Sequence, residues 1–208
     1  KFSLSEKGAI IYLSNVLLSY SDADLVAYIV DYFAKKAVIT ENTLAIEALK
    51  KGKTVKTLDD YKALRTSINV DLDPMTLNNT VIVTNQDGFD YLDSLYDDKG
   101  RPLLQPDLTQ PSVYRFKGFR VEQYSNAQLP STSATSTKAG YAPIFYGNLS
   151  EAVKFVDGEK RFATSTEAGF TKNVTMARLI ELIDVVQCDS SDKCYIYGQL
   201  KVAEKTGA

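Results

Sequence analysis

The sequence predicts an α+β fold, because helical and strand patterns occupy different parts of the chain. Helical spacing of apolar residues is strongest before residue 100, whereas period-two alternation of β-branched and aromatic residues dominates after residue 112. The two patterns do not alternate as βαβ units would. With 208 residues, 44% of them hydrophobic and 24% charged, the chain is globular in composition and has room for one large or two small domains.

The first long element is a helix over about 22–50, which follows a strand or hairpin end at 3–13. Ser21 and Asp24 have the spacing of a capping box. One face of the helix carries Leu25, Ile29, Phe33, Ala37, Leu44 and Ala48. Tyr28 and Tyr32 widen this apolar face, so we expect the helix to be buried on a broad side.

The segment KKGKT at 50–54 contains the Gly-Lys-Thr of a phosphate-binding loop but lacks its context. The first glycine of that motif would fall at position 47, which is Glu47. Gly52 is instead predicted as the helix C-cap, flanked by lysines that suit the negative end of the helix dipole.

A second helix is predicted in the segment TVKTLDDYKALRTSIN, with Thr57 as the N-cap and Asp60 at the third helical position. The Asp59-Asp60 pair then lies in the first turn. We interpret it as capping rather than as a catalytic dyad, which would need burial to separate the two pKa values.

A buried strand at 80–85 leads into the segment 84–100, where five aspartates fall close together. Thr84 and Asp87 have capping-box spacing for a short helix. On that helix one side carries Asp87, Asp90, Asp93 and Asp97, and the other carries Phe89, Leu92, Leu95 and Tyr96. Asp98 belongs to the turn that ends it. The segment lacks the ligand spacing of a calcium loop, so we predict a solvated acidic face rather than a metal or catalytic site.

The second half of the chain predicts strands. SVYRF and FRVEQY read as a hairpin turning at Lys117-Gly118, and 142–148 as a further strand. VKFVDGEKRFATS reads as a hairpin around Asp157-Gly158. NVTMARLIELIDVVQ fits both a helix and a strand, and its β-branched content and its continuation into CYIYGQLKV favour a strand. Between them, the Ser/Thr-rich segment 125–140 is predicted to be a long exposed loop, mobile from Gln128 to Gly140.

Absent residue types exclude several kinds of chemistry. The chain has no histidine, which removes Ser-His-Asp and Cys-His nucleophiles and histidine-ligated zinc. Cys188 and Cys194 flank a polar turn, and they either form a disulfide or remain free thiols, as a reducing cytosol favours. A net charge of −2 provides no basic excess for binding phosphate backbones, and no apolar run is long enough to cross a bilayer.

Five stretches, in this order, resemble tailed-phage major capsid proteins: LSNVLLSYSDADLVAYIVDYFAKKAVITEN, TVIVTNQDGFDYLDSLYDDKGRPLL, FKGFRVEQY, APIFYGNLSEAVKFVDGEKRF and NVTMARLIELIDVV. Arg178 stands at the arginine of the last block. Asn148 stands where the family often has aspartate.

The resemblance implies the Hong Kong 97-like major capsid fold, with a long spine helix, a peripheral domain and an axial domain. It places 1–74 and 146–190 in the peripheral domain, and 75–145 and 191–208 in the axial domain. Family members carry an N-terminal arm and an extended loop ahead of the spine helix. Residues 1–12 match only the last strand of that loop, so we expect an N-terminally truncated form that does not close into shells.

The resemblance also implies a structural function. The chain would be the major subunit of an icosahedral phage or prophage shell that encloses DNA in the virion and assembles in the bacterial cytoplasm. It would form pentamers and hexamers and could meet scaffolding and portal proteins, without sequence-specific nucleic acid binding or membrane contact. It implies no enzyme activity and no catalytic, cofactor-binding or metal residues.

Two alternatives remain open at the level of sequence. One is an encapsulin-like nanocompartment shell protein, which shares the fold. The other is a carboxylate-dependent hydrolase using Asp87 to Asp98, which would require those acids to converge in one pocket.

Overall fold

The computed structural model of the protein describes residues 3–20, 22–135 and 139–203. The chain forms two compact units. The first comprises the described residues of Lys1–Ala45 and Lys154–Val186, and the second those of Ile46–Val153 and Gln187–Ala208.

The first unit is built on a three-stranded sheet and a long helix. Its strands are β1 (Ser5–Ser14), β8 (Val153–Ser165) and β9 (Val174–Gln187), in the order β1-β9-β8. Helix α1 (Asn15–Tyr20) leads into helix α2 (Asp22–Lys50), whose last turn is counted in the second unit. A short 3-10 helix, Phe170–Lys172, lies between β8 and β9.

The pairing of β1 with β9 assigns side chains to two faces of this sheet. The strands are antiparallel, with Ile11 opposite Ala177 and Tyr12 opposite Met176. Ile11 and Ala177 belong to the core that Phe33 of α2 helps to form. Tyr12 and the residues two positions away from it on β1 project from the other face, because successive residues of a strand point in opposite directions.

The second unit is a seven-stranded mixed sheet with helices packed on it. Its elements are β2 (Lys56–Leu58), α3 (Tyr61–Val70), β3 (Val81–Asn85), α4 (Gln86–Asp93), β4 (Leu104–Pro106), β5 (Tyr114–Phe116), β6 (Phe119–Tyr124), β7 (Gly140–Gly147), α5 (Leu149–Ala152) and β10 (Tyr195–Ala203). The strand order is β2-β10-β7-β3-β6-β5-β4. β3 pairs in parallel with β6, and β2 with β10, while the remaining pairs are antiparallel.

The core of the second unit joins helices α3 and α4 to the sheet. Leu64 and Ile68 of α3 and Leu92 of α4 contact side chains of the central strands such as Ile82 and Ile144. All five are at most 2% exposed. Burial of this apolar surface, at roughly 25 cal/mol per Å², is the main stabilising term.

The spine helix prediction is confirmed in its bounds, since α2 covers Asp22–Lys50. Ile29, Phe33 and Ala48 are buried as predicted, but Tyr28 is 60% exposed, so the buried side is narrower than expected. Gly52 has φ +69 just after the helix and acts as its predicted C-cap. Ser21 lies outside the described residues, and its predicted cap with it.

Both capping predictions downstream of α2 are wrong, because each helix begins later in the chain than its predicted cap indicates. Thr57 lies in β2, and Asp60 is the N-cap of α3, accepting a hydrogen bond from the Ala63 amide at 2.7 Å. Similarly, Asn85 rather than Thr84 caps α4 and accepts from the Gly88 amide. Thr84 still belongs to β3 and donates to the Pro143 carbonyl. In each case strand pairing extends further than the local pattern indicates.

The hairpin predicted around Asp157-Gly158 is also wrong, because both residues lie inside the single strand β8. Gly158 sits tightly against β9: a Cβ there would lie 2.9 Å from the Leu182 carbonyl oxygen. The glycine permits a close approach of two strands rather than a turn. The strand prediction for β9 and β10 and the hairpin at Lys117-Gly118 are confirmed.

The two compact units differ from the predicted domain bounds. Residues 46–74, 146–153 and 187–190 were expected with the spine helix, whereas their contacts group them with the seven-stranded sheet. The division into a peripheral and an axial domain itself stays a prediction. The reason is packing: Leu58 and Leu64 enter the core of that sheet, and Tyr146 lies within the continuous strand β7.

The loop predicted over 125–140 is tied to the sheet in its described part. Leu129 is fully buried, and the Asn85 side-chain amide donates to the Leu129 carbonyl and to Ser131 Oγ. Thr132 pairs with Tyr141 through backbone hydrogen bonds. Residues 136–138 are outside the described part of the chain, and the predicted mobility stays a prediction.

Candidate functional site

The acidic segment forms a solvated helix face, as predicted, on α4. Asp90 and Asp93 are exposed, while Leu92 is fully buried and Phe89 packs edge-on against Tyr114. Asp87 is half-buried and accepts a hydrogen bond from the Asn126 amide at 2.9 Å. The helix lies close to the sheet because Gly88 rests on Thr84 and Ala142. The structure therefore spreads the aspartates of this segment over the surface and does not gather them in one pocket.

Two residues at the end of this segment differ from the prediction. Tyr96 was expected to be buried but is 61% exposed, and Asp97 was expected to be exposed but its side chain is only 26% exposed. The reason is that α4 ends at Asp93, so residues beyond it no longer follow helical spacing. The Asp97 carboxylate accepts hydrogen bonds from the Arg101 amide, the Arg101 guanidinium and the Lys99 amide, which lower its pKa.

A cleft of about 560 Å³ opens beside strands β4 and β5. Its charged lining consists of Asp97, Arg101, Asp107, Arg115 and Lys117, with prolines and leucines between them. Asp107 accepts hydrogen bonds from the hydroxyl and amide of Thr109 and pairs with Arg115, and these contacts lower its pKa. The two aspartates are structural, because their oxygens are already engaged by their own loops.

Lys160 is the centre of an ion-pair cluster in the first unit. Its ammonium lies 2.6 Å from Glu181, 3.6 Å from Glu41 and 3.8 Å from Asp157. Glu181 is buried, with 5% of its side chain exposed. The hydrogen bond to Glu181 raises the pKa of Lys160. The cluster joins α2 to β8 and β9, because Glu41 comes from the helix and the other three residues from the strands.

A hydroxyl network in the second unit has the residue types of a catalytic relay, but its hydroxyl groups are buried where a substrate cannot reach them. Ser67 donates to Asp71, Asp71 pairs with Lys56, and Tyr146 lies 2.7 Å from Ser67. Burial raises the pKa of Tyr146 to about 12. Ser67 is 3% exposed and Tyr146 0%, so no substrate reaches these oxygens. We interpret the network as buried polar groups that satisfy one another.

Cys188 and Cys194 form no disulfide with each other; Cys188 is exposed and Cys194 is buried. Burial raises the pKa of Cys194 to about 11, which keeps it protonated and unreactive.

Exposed apolar side chains are numerous in both units. In the first unit Tyr12, Val30, Phe162 and Phe170 are each more than half exposed, Phe170 at 86%. In the second unit the most exposed are Met75 and Leu108. Exposed apolar groups are typical of surfaces that contact another protein where they form contiguous patches, whereas single exposed apolar residues are ordinary. Sequence reasoning missed them because an apolar residue in a strand or helix pattern is normally assigned to the core.

Within the described ranges, no group of three or more His, Cys, Asp or Glu side chains is arranged to hold a metal ion. In the same residues, no helix combines the length and apolar character needed to span a bilayer.

Comparison with known proteins identifies a family and a fold. The family model described as the phage capsid family matches residues 1–191. A search of curated proteins finds no match. Solved structures similar to the chain include a capsid of a native GTA particle computed with C5 symmetry, with a TM-score of 0.70 and 17% identity, covering 98% of this chain and 74% of that one.

Two phage structures show the same fold. The structure titled Microbacterium phage Oxtober96 has a TM-score of 0.64 at 12% identity, covering 96% of this chain and 73% of that one. The head structure of Helicobacter pylori bacteriophage KHP40 has a TM-score of 0.61 at 11% identity, covering 97% of this chain and 75% of that one. At these identities the likeness concerns the fold alone.

Proposed function

We infer that this chain builds an icosahedral phage or prophage head that encloses DNA. The chain is a capsid subunit and belongs to the phage capsid family. The observation that supports this most is the family match over residues 1–191, which includes most of both compact units.

We assign the unit with α2 and the three-stranded sheet to the peripheral domain, and the unit with the seven-stranded sheet to the axial domain. The exposed apolar side chains support this role, because a shell subunit must cover such surfaces with its neighbours. Stable interfaces bury on the order of 1,600 Å² in total, with large apolar and aromatic side chains at their centre. Copies would meet as pentamers and hexamers.

The charge of the chain suits a container rather than a DNA-binding protein. Its net charge is −2, with a sequence pI near 5.3. Many of its arginines are paired with carboxylates in the structure, as in Arg101 with Asp97 and Arg120 with Glu122. A shell with such a surface holds DNA by enclosure and leaves it free to be released.

We further propose that the protein has no catalytic activity, that it resides in the virion after assembly in the host cytoplasm, and that scaffolding and portal proteins assist the assembly. The Ser67 and Tyr146 hydroxyls and the protonated Cys194 thiol support the first point, since all three are buried.

The test is the content of the particles. The full-length protein is expressed with its neighbouring genes, and sedimenting particles are treated with nuclease before their nucleic acid and protein are analysed. We expect shells that protect DNA from the nuclease. Shells that contain an enzyme cargo and no DNA would instead support the nanocompartment alternative, and the absence of any shell would contradict the proposal.

A further inference from the structure

The second unit carries two surfaces of opposite charge that lie on different elements. The first, which we call the acidic face, consists of Asp90 and Asp93 on α4 with Asp98 just beyond it. All three are exposed. Among the described residues, Asp90 and Asp93 form no ion pair, whereas Asp97 and Asp107 do. The acidic face therefore has charge that its own chain does not neutralise.

The second surface, which we call the cationic cleft, surrounds the turn between β5 and β6. Lys117 lies at this turn, between the 560 Å³ cleft that contains Arg101 and Arg115 and a second cavity of about 240 Å³ that contains Arg65. These four cations face two carboxylates, Asp97 and Asp107, so positive charge is in excess.

The conformation of Lys117 marks the turn as unusual. Lys117 has φ +53 and Gly118 has φ +91, the left-handed geometry of a two-residue hairpin turn. Such turns favour Asn or Gly at the first position, because a side chain there is strained. Lys117 therefore lies at the tip of the hairpin and lines both cavities.

Exposed apolar side chains lie next to each surface. Tyr96, three residues beyond α4, is 61% exposed, and Leu108, which lines the cleft, is fully exposed. Opposite charges together with large exposed apolar groups are the composition of a protein-protein interface.

From this complementarity we propose that the acidic face of one copy docks in the cationic cleft of a second copy. This inference rests on the proposed function, since it names one contact by which copies associate. The contact is between two different surfaces of the same chain, so it can repeat from copy to copy and close into a ring. Phosphate of enclosed DNA is a poorer occupant, because it has no apolar group that could cover the exposed Leu108 side chain in the cleft.

Zero-length cross-linking tests the contact directly. Equal amounts of ¹⁴N- and ¹⁵N-labelled full-length protein are assembled together, and a carbodiimide is added to join carboxylates to lysine ammonium groups in contact. Mass spectrometry should find mixed-isotope cross-links that join Lys117 to Asp90 or Asp93. Cross-links from Lys117 to other acidic residues only, in protein that has assembled, would overturn the inference while leaving the proposed function intact.

Charge reversal provides a second test that does not depend on chemistry at Lys117. Asp90→Lys with Asp93→Lys should abolish the assembled species in sedimentation velocity, and so should Arg65→Glu with Lys117→Glu. The chain carrying all four reversals should associate again, because each contact is then attractive with its signs exchanged. Lys62→Glu, which reverses an exposed lysine that lines neither cavity, is the matched control and should assemble normally.

The outcomes separate the two proposals. Circular dichroism of each variant confirms that the fold is retained. If the unmodified protein forms no assembly, the proposed function fails. If it assembles and both reversed pairs assemble equally well, or if the four reversals together do not restore assembly, the docking contact is wrong. If Arg65→Glu with Lys117→Glu lowers only the retained DNA, the cleft binds phosphate instead and the inference is overturned.

Discussion

Gly147 should be among the least replaceable residues of the second unit. It lies in β7 between two neighbouring strands, opposite Tyr195 of β10 and Val81 of β3. Its φ is +132, a conformation that L side chains rarely adopt. A Cβ there would lie 2.5 Å from Tyr195 Cα and closer still to the Cys194 carbonyl oxygen. Because these are backbone atoms, no side-chain rotation relieves the overlap.

The magnitude follows from two terms. A residue held in a sparsely populated φ/ψ region costs about 1–3 kcal/mol. Overpacking a filled site costs about another 1–3 kcal/mol. Gly147→Ala should therefore lower the free energy of unfolding by about 2–6 kcal/mol, a large part of the roughly 5–15 kcal/mol typical of a folded protein.

Urea unfolding followed by near-ultraviolet circular dichroism of the tyrosines measures this loss. With a slope of about 2 kcal/mol per M, a loss of 4 kcal/mol lowers the midpoint by about 2 M. Gly52→Ala and Gly118→Ala are the controls: both glycines have positive φ, but no atom lies within 4 Å of a Cβ placed there. In these two variants the free energy of unfolding should fall only by the cost of a side chain at positive φ, about 1–2 kcal/mol. A Gly147→Ala midpoint no lower than that of the controls would refute the steric argument.

Three further perturbations have defined outcomes. Leu92→Ala should lower the free energy of unfolding by about 2–5 kcal/mol in a urea titration, because it leaves a cavity beneath α4 where the leucine is fully buried. Lys53→Met should lower the free energy of unfolding by about 1–3 kcal/mol, since the lysine side chain is 2% exposed and its ammonium donates to the Tyr195 carbonyl at 2.7 Å. The control Lys51→Met, at an exposed lysine, should have little effect. The hydrogen bond to Glu181 raises the pKa of Lys160 in the folded state. The contribution of Lys160 to the free energy of unfolding is therefore fully present below its ordinary pKa of 10.5, and it is lost as the pH rises through the folded-state pKa. Urea midpoints of the wild type and Lys160→Met should therefore differ at pH 8 and converge at the alkaline end of the series, and a constant difference would contradict the ion-pair explanation.

The elements with strong local patterns could be predicted from the sequence. Helix α2 has a long apolar periodicity and ends at Gly52, and its bounds agree with the prediction. The α+β class and the strands of the second half follow from period-two alternation in the same way. The solvated face of α4 was also predictable, because Asp90 and Asp93 have helical spacing opposite Leu92.

The errors arose where tertiary contacts override a local signal. Thr57 and Thr84 satisfy capping spacing, but strand pairing includes both, and the next polar residue with the right geometry caps the helix instead. Asp157-Gly158 is a strong turn signal, yet the glycine serves the contact with Leu182 inside a long strand. Tyr96 and Asp97 were assigned by a helical period that stops at Asp93.

The candidate surfaces could be predicted from the sequence less well than the fold could. The cationic cleft brings Arg65 beside Lys117, although the two residues are far apart in sequence. Only the packing of α3 against the β5–β6 hairpin places them together. The exposed side chains of Leu108 and Phe170 likewise look like ordinary apolar residues until the structure shows that the described chain leaves them uncovered.

A cryo-electron microscopy reconstruction of particles made by the full-length protein shows whether this chain is the repeating subunit of a closed shell. We expect icosahedral shells in which both compact units fit the density of every subunit. We also expect the seven-stranded unit to surround the fivefold and sixfold axes. Particles whose density places the seven-stranded unit away from those axes would contradict the domain assignment. A protein that remains monomeric under all assembly conditions would contradict its role as a shell subunit.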